Sequence, residues 1–364
     1  MDNVTRKTYA GLFLVTLATL MYEILLTRIF SVTMWYHFAF MAISVAMFGM
    51  TVGAIIVYLF PRYFQPERAP YQLGLSALLF GISIILSFLA HLCIPVMADW
   101  GSFPLVRIYS LALNYTIIAI PFIFSGICVS LALTRFPRFV GKLYAADLIG
   151  AALGCLLLLV TLRYIDGPTA AFAVAFLASL GAFFFAWGSG FKRLMRISAV
   201  CGLALALFVV ANTVFAKRKN PLVGLLFVKF NVESPALYEK WNSFSRVRVY
   251  GYPKRYEYPI GWGFSTTAPA DLRVRQVMMD IDATAGTPIT AFNGNLDSVS
   301  FLKYDITNMA HWIRQDAKIL VVGPGGGRDV LSALVFHQKA VEAVEINENI
   351  IATVNEKFGD FTGH

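Results

Sequence analysis

Seven long apolar runs dominate the first 219 residues, at about 9–30, 36–60, 72–95, 108–134, 143–164, 168–188 and 194–216. Each matches the roughly 20 apolar residues that a helix needs to cross a bilayer. Pro61, Pro66, Pro70, Pro137 and Pro168 mark several boundaries. The first run follows Arg6 and Lys7, as a signal peptide would. It also carries Glu23 and lacks a small-residue cleavage site, so it reads as a retained span. The pattern predicts a polytopic membrane domain over 1–219 with about seven transmembrane helices.

From about Asn220 the pattern changes: charges become frequent and apolar runs short. "SRVRVYGY" alternates as a strand does, and "RVRQVMMDIDATAGTP" reads as a second strand and a turn. A small β-rich module is predicted over 220–300. "FLKYDITNMAHWIRQ" then has helical spacing, and "KILVVG" reads as a short strand of the buried parallel type.

Basic residues orient the spans. Arg62 and Arg68, then Arg135, Arg138 and Lys142, then Lys192, Arg193 and Arg196 follow the second, fourth and sixth runs. With Arg6 and Lys7 they place the amino terminus in the cytoplasm, in what reads as a bacterial inner (plasma) membrane. Seven spans then deliver the carboxyl end to the other face. Lys217-Arg218-Lys219 and the supply of a nucleotide-type ligand argue for the cytoplasmic face, so either one run does not span or the carboxyl end faces outward.

Composition agrees with a membrane protein: 58% hydrophobic and 14% charged, against about 25% charged in soluble domains. The net charge of +9 sits in short clusters beside apolar runs, with no basic tract interleaved with aromatics, so no nucleic-acid partner is expected. Cys93, Cys128, Cys155 and Cys201 are widely spaced in apolar runs, and His37 and His91 stand alone, so no metal site is expected. Trp35, Tyr36, Trp100 and Trp187 fall near run ends, as interfacial aromatics do.

Chemistry concentrates near the end, in "KILVVGPGGGRDVLSALVFHQKAVEAVEINENI". Gly323, Gly325 and Gly327 follow a strand and precede a helix, the order in which a glycine loop admits a nucleotide-type ligand to a helix N-terminus. "AVEAVEI" makes a second strand ending at Glu345, where a carboxylate can accept ribose hydroxyls. Asp329 lies at the helix start, as a further ligand contact or as an acid favoured by the helix dipole. Residues 301–364 thus read as the first βαβα part of an α/β Rossmann-like, class I methyltransferase-type domain. The spacing leaves dinucleotides and S-adenosyl ligands equally open.

The segments "YEKWNSFSRVRVY", "MMDIDATAGTPI", "VVGPGGGRDVLSAL" and "AVEINENII", with "MYEILLTRIFSV", "YHFAFMAISVAMFG" and "LYAADLIGAALG" in the membrane part, resemble the membrane-fused members of the spermidine synthase (polyamine aminopropyltransferase) family. The likeness covers nearly the whole chain. It implies decarboxylated S-adenosylmethionine as cosubstrate, with S-adenosylmethionine as the alternative and no tightly bound cofactor. Gly323, Gly325, Gly327 and Glu345 match the donor-binding positions. A small amine of the putrescine type is the implied acceptor, and the lipid bilayer the other partner.

Three departures accompany the likeness. The family carries an acid within its glycine loop, whereas "GPGGGRD" displaces it to Asp329. The family's Tyr-His-Glu motif is replaced by Tyr304 and Asp305, with His311 later. The family's catalytic Asp lies beyond a fourth strand and has no match before His364, so the chain reads as an N-terminal portion of a longer enzyme or as a degenerate relative. No catalytic base is assigned, and no turnover is expected from this chain alone. Two other readings stand beside aminopropyl transfer: an S-adenosylmethionine-dependent methyltransferase, and a transporter or export protein with a ligand-sensing soluble end.

The transport reading rests on Glu23, Arg28 and Asp147 in the spans, since intramembrane charges pair or face cavities. Arg28 is expected to meet Glu23 or the far end of another helix, and Asp147 to meet Arg135, Arg138 or Lys142. Glu23 and Asp147 are expected at depths too different to share a site. Gly49/Gly53 and Gly150/Gly154 are expected at close helix contacts.

Overall fold

A computed structural model describes residues 4–94, 104–229 and 231–363. The chain divides into two compact units, Met1–Glu233 and Ser234–His364. The β-rich stretch and the glycine-loop stretch therefore belong to one unit.

Among the described residues the first unit contains seven long helices: α1 (Arg6–Thr33), α2 (Ala39–Leu59), α3 (Ala69–Cys93), α4 (Pro104–Thr134), α5 (Val140–Tyr164), α6 (Gly167–Ser189) and α7 (Lys192–Lys217). All seven are long and apolar enough to cross a membrane, as an integral membrane protein requires. Their ends carry the expected signals. Thr5 and Thr8 form a reciprocal capping box on α1, and the Asp166 side chain accepts from the Thr169 amide at 2.7 Å, with Pro168 in the first turn of α6. Trp100 lies outside the described residues.

α1 is the central helix, packed on α2, α4, α5 and α6. Small residues permit this. A Cβ on Gly154 would collide with the Leu17 carbonyl of α1, and one on Gly150 with Phe13 and Thr16. Gly49 and Gly53 likewise admit the α4 backbone at Ala119 and Ile123. Without a hydrophobic driving force between helices in lipid, such close contact supplies the packing energy. Buried hydroxyls add bonds between helices: Thr19 to Ser125 at 2.6 Å and Tyr22 to Ser87 at 3.3 Å. At the far end of α1, His91 is bonded to Thr33 at 3.1 Å and to Asn114 at 2.9 Å.

Asp147 departs from expectation, and Glu23 is not the partner of Arg28. Neither Glu23 nor the Asp147 side chain forms an ion pair or hydrogen bond with a described residue. Glu23 and Arg28 are five positions apart, which turns them about 140° away from each other on one helix. Asp147 is held by its backbone instead, its carbonyl accepting the Thr16 hydroxyl at 3.1 Å. Gly150 lies opposite Phe13 and Gly154 opposite Leu17, so the two helices run parallel. Asp147 then sits about 13 residues below Glu23, or roughly 20 Å along the axis, too far for a shared site.

After α7 the chain folds back on the bundle. The Asn212 side chain donates to the Thr169 hydroxyl at 2.7 Å and accepts from the Val223 amide at 2.9 Å. The hairpin β1 (Phe227–Val228) and β2 (Asn231–Val232) follows, and the Lys229 amide donates to the Thr33 carbonyl at 2.8 Å. Thr33 ends α1, so the chain leaves the bundle at the end opposite its amino terminus.

The second unit opens with antiparallel strands β3 (Tyr238–Trp241), β4 (Arg246–Tyr250), β5 (Tyr256–Glu257), β6 (Val274–Ile281) and β7 (Ala285–Thr290). β6 is central. It pairs with β4 and β5 on one edge and with β7 on the other, across a turn in which Asp282 and Ala283 take positive φ. Period-two alternation turns Val247, Val249, Val277, Met279 and Ile289 into one buried cluster, closed by Ile350. The expected strands are therefore present.

The "FLKYDITNMAHWIRQ" stretch is not one helix. Leu296–Tyr304 and Ile306–Asn308 are 3-10 turns, and only α8 (Met309–Ile313) is α-helical. The break falls at Asp305, whose side chain caps the next turn by accepting from the Thr307 amide at 3.1 Å. The stretch "KILVVG" forms β8 (Lys318–Val322), followed by α9 (Arg328–Val335), β9 (Ala340–Val344), α10 (Glu348–Ala352) and α11 (Gly359–Thr362). β8 and β9 are parallel, paired from Lys318–Ala340 to Val322–Val344. The expectation of a buried strand fails for β8: Leu320 is 63% and Val322 79% exposed. One face of this two-stranded sheet, with Leu320 and Val322, is uncovered, whereas Val321 on the other is buried.

Candidate functional site

The site grows from the turn between β8 and α9. Gly323, Gly325 and Gly327 have φ of 72°, 53° and 83°, the left-handed region that glycine enters without strain. This explains the alternating glycines of "GPGGG". The Gly323 amide donates to the Val344 carbonyl at 2.9 Å, which anchors the loop beside the last residue of β9. The Gly327 amide closes the turn on the Pro324 carbonyl at 2.8 Å. Gly327 is the N-cap of α9 and provides no side-chain acceptor, so the first-turn amides are uncapped by a side chain.

Gly326, which the alternation passes over, has a different task. A Cβ there would collide with the Pro288 carbonyl of β7, and its amide points to the Thr287 hydroxyl at 3.4 Å. The loop therefore rests on β7 through a glycine chosen for space rather than for φ.

Glu345 follows β9 directly and is half-buried. Its Oε1 accepts the Asn347 amide at 2.9 Å, while Oε2 has no bond among the described residues. Asn347 is itself held: its side-chain amide donates to the Ser245 hydroxyl at 2.8 Å, and its carbonyl oxygen accepts from Asn242 at 2.8 Å. The "WNSFS" segment between β3 and β4 thus braces the carboxylate through Asn347. One oxygen is fixed and the other has no bond among the described residues. Asp329 lies exposed in the first turn of α9, beside Arg328 and within electrostatic reach of His311.

Arg328 opens α9, where the helix dipole disfavours a cation. It is buried and held by partners: it donates to the Ile260 carbonyl at 2.8 Å and forms an ion pair with Asp305. Asp305 also accepts from the Trp262 amide at 2.8 Å and the Thr307 hydroxyl at 3.0 Å. Burial pushes the Asp305 carboxyl up. The Thr307 and Trp262 amides, the Arg328 charge and the Thr307 hydroxyl together outweigh it and hold the group below the usual carboxylate range. Sequence reasoning missed this pair, because Asp305 lies 23 positions before Arg328 and no local pattern links the two.

Tyr304 and Asp305 line a cavity of about 850 Å³ with Phe264, Lys303 and Trp312. His311 does not line it; its ring stacks on Phe336 at 5.2 Å. Burial draws the His311 imidazole below its ordinary value, with Asp329 opposing. Among the described residues no three His, Cys, Asp or Glu side chains cluster as metal ligands would.

Comparisons with protein-family models, with curated proteins and with solved structures returned no match.

Proposed function

We propose that the second unit binds the nucleoside of an S-adenosyl sulfonium donor, and that the chain is a membrane-bound group-transfer protein. The observation that carries this is Glu345: one carboxylate oxygen is fixed by Asn347 and the other is open, beside a loop of left-handed glycines. A ribose hydroxyl donating to the open oxygen would complete the pattern of a Rossmann-like nucleoside site. The resemblance to membrane-fused spermidine synthases supports aminopropyl transfer from decarboxylated S-adenosylmethionine to a putrescine-type amine.

In that reaction the amine nitrogen attacks the carbon beside the sulfonium. The carbon–sulfur bond breaks, its electron pair returns to sulfur, and methylthioadenosine leaves as a neutral thioether. The amine loses one proton to a base. Methyl transfer from intact S-adenosylmethionine uses the same donor site, and donor preference separates the two.

Titration calorimetry on the purified chain in detergent tests the reading, with methylthioadenosine and each donor in turn. Saturable binding that weakens in Glu345→Gln is the expected result. No binding of any of the three would overturn it.

A further inference from the structure

The cavity beside the Asp305–Arg328 pair belongs to none of the steps above, and no glycine of the loop lines it. Phe264, Tyr304 and Trp312 contribute aromatic rings to its walls, beside the hydroxyls of Ser265, Thr266, Thr267 and Ser300. Trp312 is 55% exposed, yet it is fixed at both ends. Its indole N–H donates to the Lys303 carbonyl at 3.1 Å, and its ring meets Phe336 edge-on at 5.1 Å. A large exposed aromatic held in one orientation is a preorganised stacking surface. The Ser265 amide, bonded to the Tyr304 carbonyl at 2.8 Å, ties the two walls together.

The charge balance of the lining selects the ligand. Two charged residues line the cavity, Lys303 and Asp305. Asp305 is spent: one oxygen accepts from the Thr307 amide and hydroxyl, the other from Trp262 and Arg328. Lys303 forms no ion pair among the described residues; its ammonium lies 6.0 Å from the Phe336 ring. The lining therefore offers one cation and no free anion. A polyamine would bring ammonium groups to a wall that cannot neutralise them.

We propose that this cavity is a second ligand site, for a planar aromatic molecule carrying one negative charge, stacked against Trp312 with its anionic group at Lys303. The site stands on the cavity's own geometry and does not depend on donor binding at the glycine loop.

Equilibrium dialysis of labelled salicylate against the detergent-solubilised full chain, with a detergent-only control, tests it. Wild type should bind saturably, and excess spermidine should not displace the label. Loss of a charge-assisted contact should weaken binding by about ten-fold or more in Lys303→Glu and in the near-isosteric Lys303→Met. Trp312→Ala should weaken it too, and Lys303→Arg should retain it. Absence of saturable binding, displacement by spermidine, or unchanged affinity in both Lys303→Glu and Lys303→Met would overturn the site. Methylthioadenosine binding is measured on the same samples. Its loss with salicylate retained counts against the donor reading alone, and the reverse counts against this cavity alone.

Discussion

Arg328 and Asp305 form an ion pair in which both side chains are almost wholly out of water. The pair joins the start of α9 to the break between the 3-10 turns, so the glycine loop is held from behind by a salt bridge 23 positions away in sequence. Removing one partner of a buried pair leaves the other uncompensated, at about 3–5 kcal/mol. Asp305→Ala should destabilise the second unit by that order, measured by chemical unfolding of the full chain followed by fluorescence. A cost below about 1 kcal/mol, as for an exposed pair, would contradict the buried-pair account.

The same carboxylate sets a pH dependence. Its folded pKa lies below its unfolded value, so its stabilisation is complete above the unfolded value of about 3.9. It is lost as pH falls through the lower folded value. The stability difference between wild type and Asp305→Asn should be flat from about pH 5 to 7 and should shrink below about pH 4. A difference that shrinks instead between pH 5 and 7 would place the controlling titration elsewhere.

Gly326 and Gly323 should respond differently to alanine. Gly326→Ala drives a methyl into the Pro288 carbonyl, an overpacking cost of about 1–3 kcal/mol with a shift of the loop from β7. Gly323→Ala meets open space and bears only the left-handed backbone cost, about 1–2 kcal/mol. Thermal unfolding of the two variants checks the stability order. Methylthioadenosine titration checks that Gly326→Ala loses more affinity than its stability alone explains.

Glu345→Gln keeps an oxygen for the Asn347 amide but removes the charge. Stability should change by less than about 1 kcal/mol, while nucleoside affinity falls about 10- to 100-fold, the worth of a hydrogen bond to a charged acceptor. Equal losses in Asn347→Ala would show that the brace from Asn242 and Ser245 matters as much as the charge.

In the membrane unit, Gly154→Leu forces α5 away from the Leu17 carbonyl, whereas Gly141→Leu meets nothing within 4 Å. Only the first should lower the detergent concentration at which the helices separate. The seven spans also predict that reporters fused at the amino terminus and after Val232 fall on opposite faces of the membrane. Reporters on one face would mean that one of the helices does not cross.

The spans were legible because length and apolarity determine them residue by residue, and period-two alternation likewise gave β4 and β6. The turn at Gly323, Gly325 and Gly327 was legible from "GPGGG" itself, though not its left-handed backbone. Gly326 was not, because its reason is Pro288, a partner 38 positions earlier that no local pattern announces. Of the two partners expected for Arg28, Glu23 is excluded by helical geometry that spacing alone would have supplied. The exposed face of β8 was hidden because "KILVVG" carries the composition of a buried strand whatever surrounds it.

The two-stranded parallel sheet has a consequence for the behaviour of the protein in solution. Among the described residues no strand lies beside the outer edges of β8 and β9, which are flanked by Leu320, Val322, Val344 and the 89% exposed Ile346. An open, apolar edge is a template for another chain. Refolding yield should therefore fall as protein concentration rises, and unfolding midpoints should be compared only at matched, low concentrations. The recovered fraction on dilution from denaturant becomes a measure of edge-to-edge association as well as of folding.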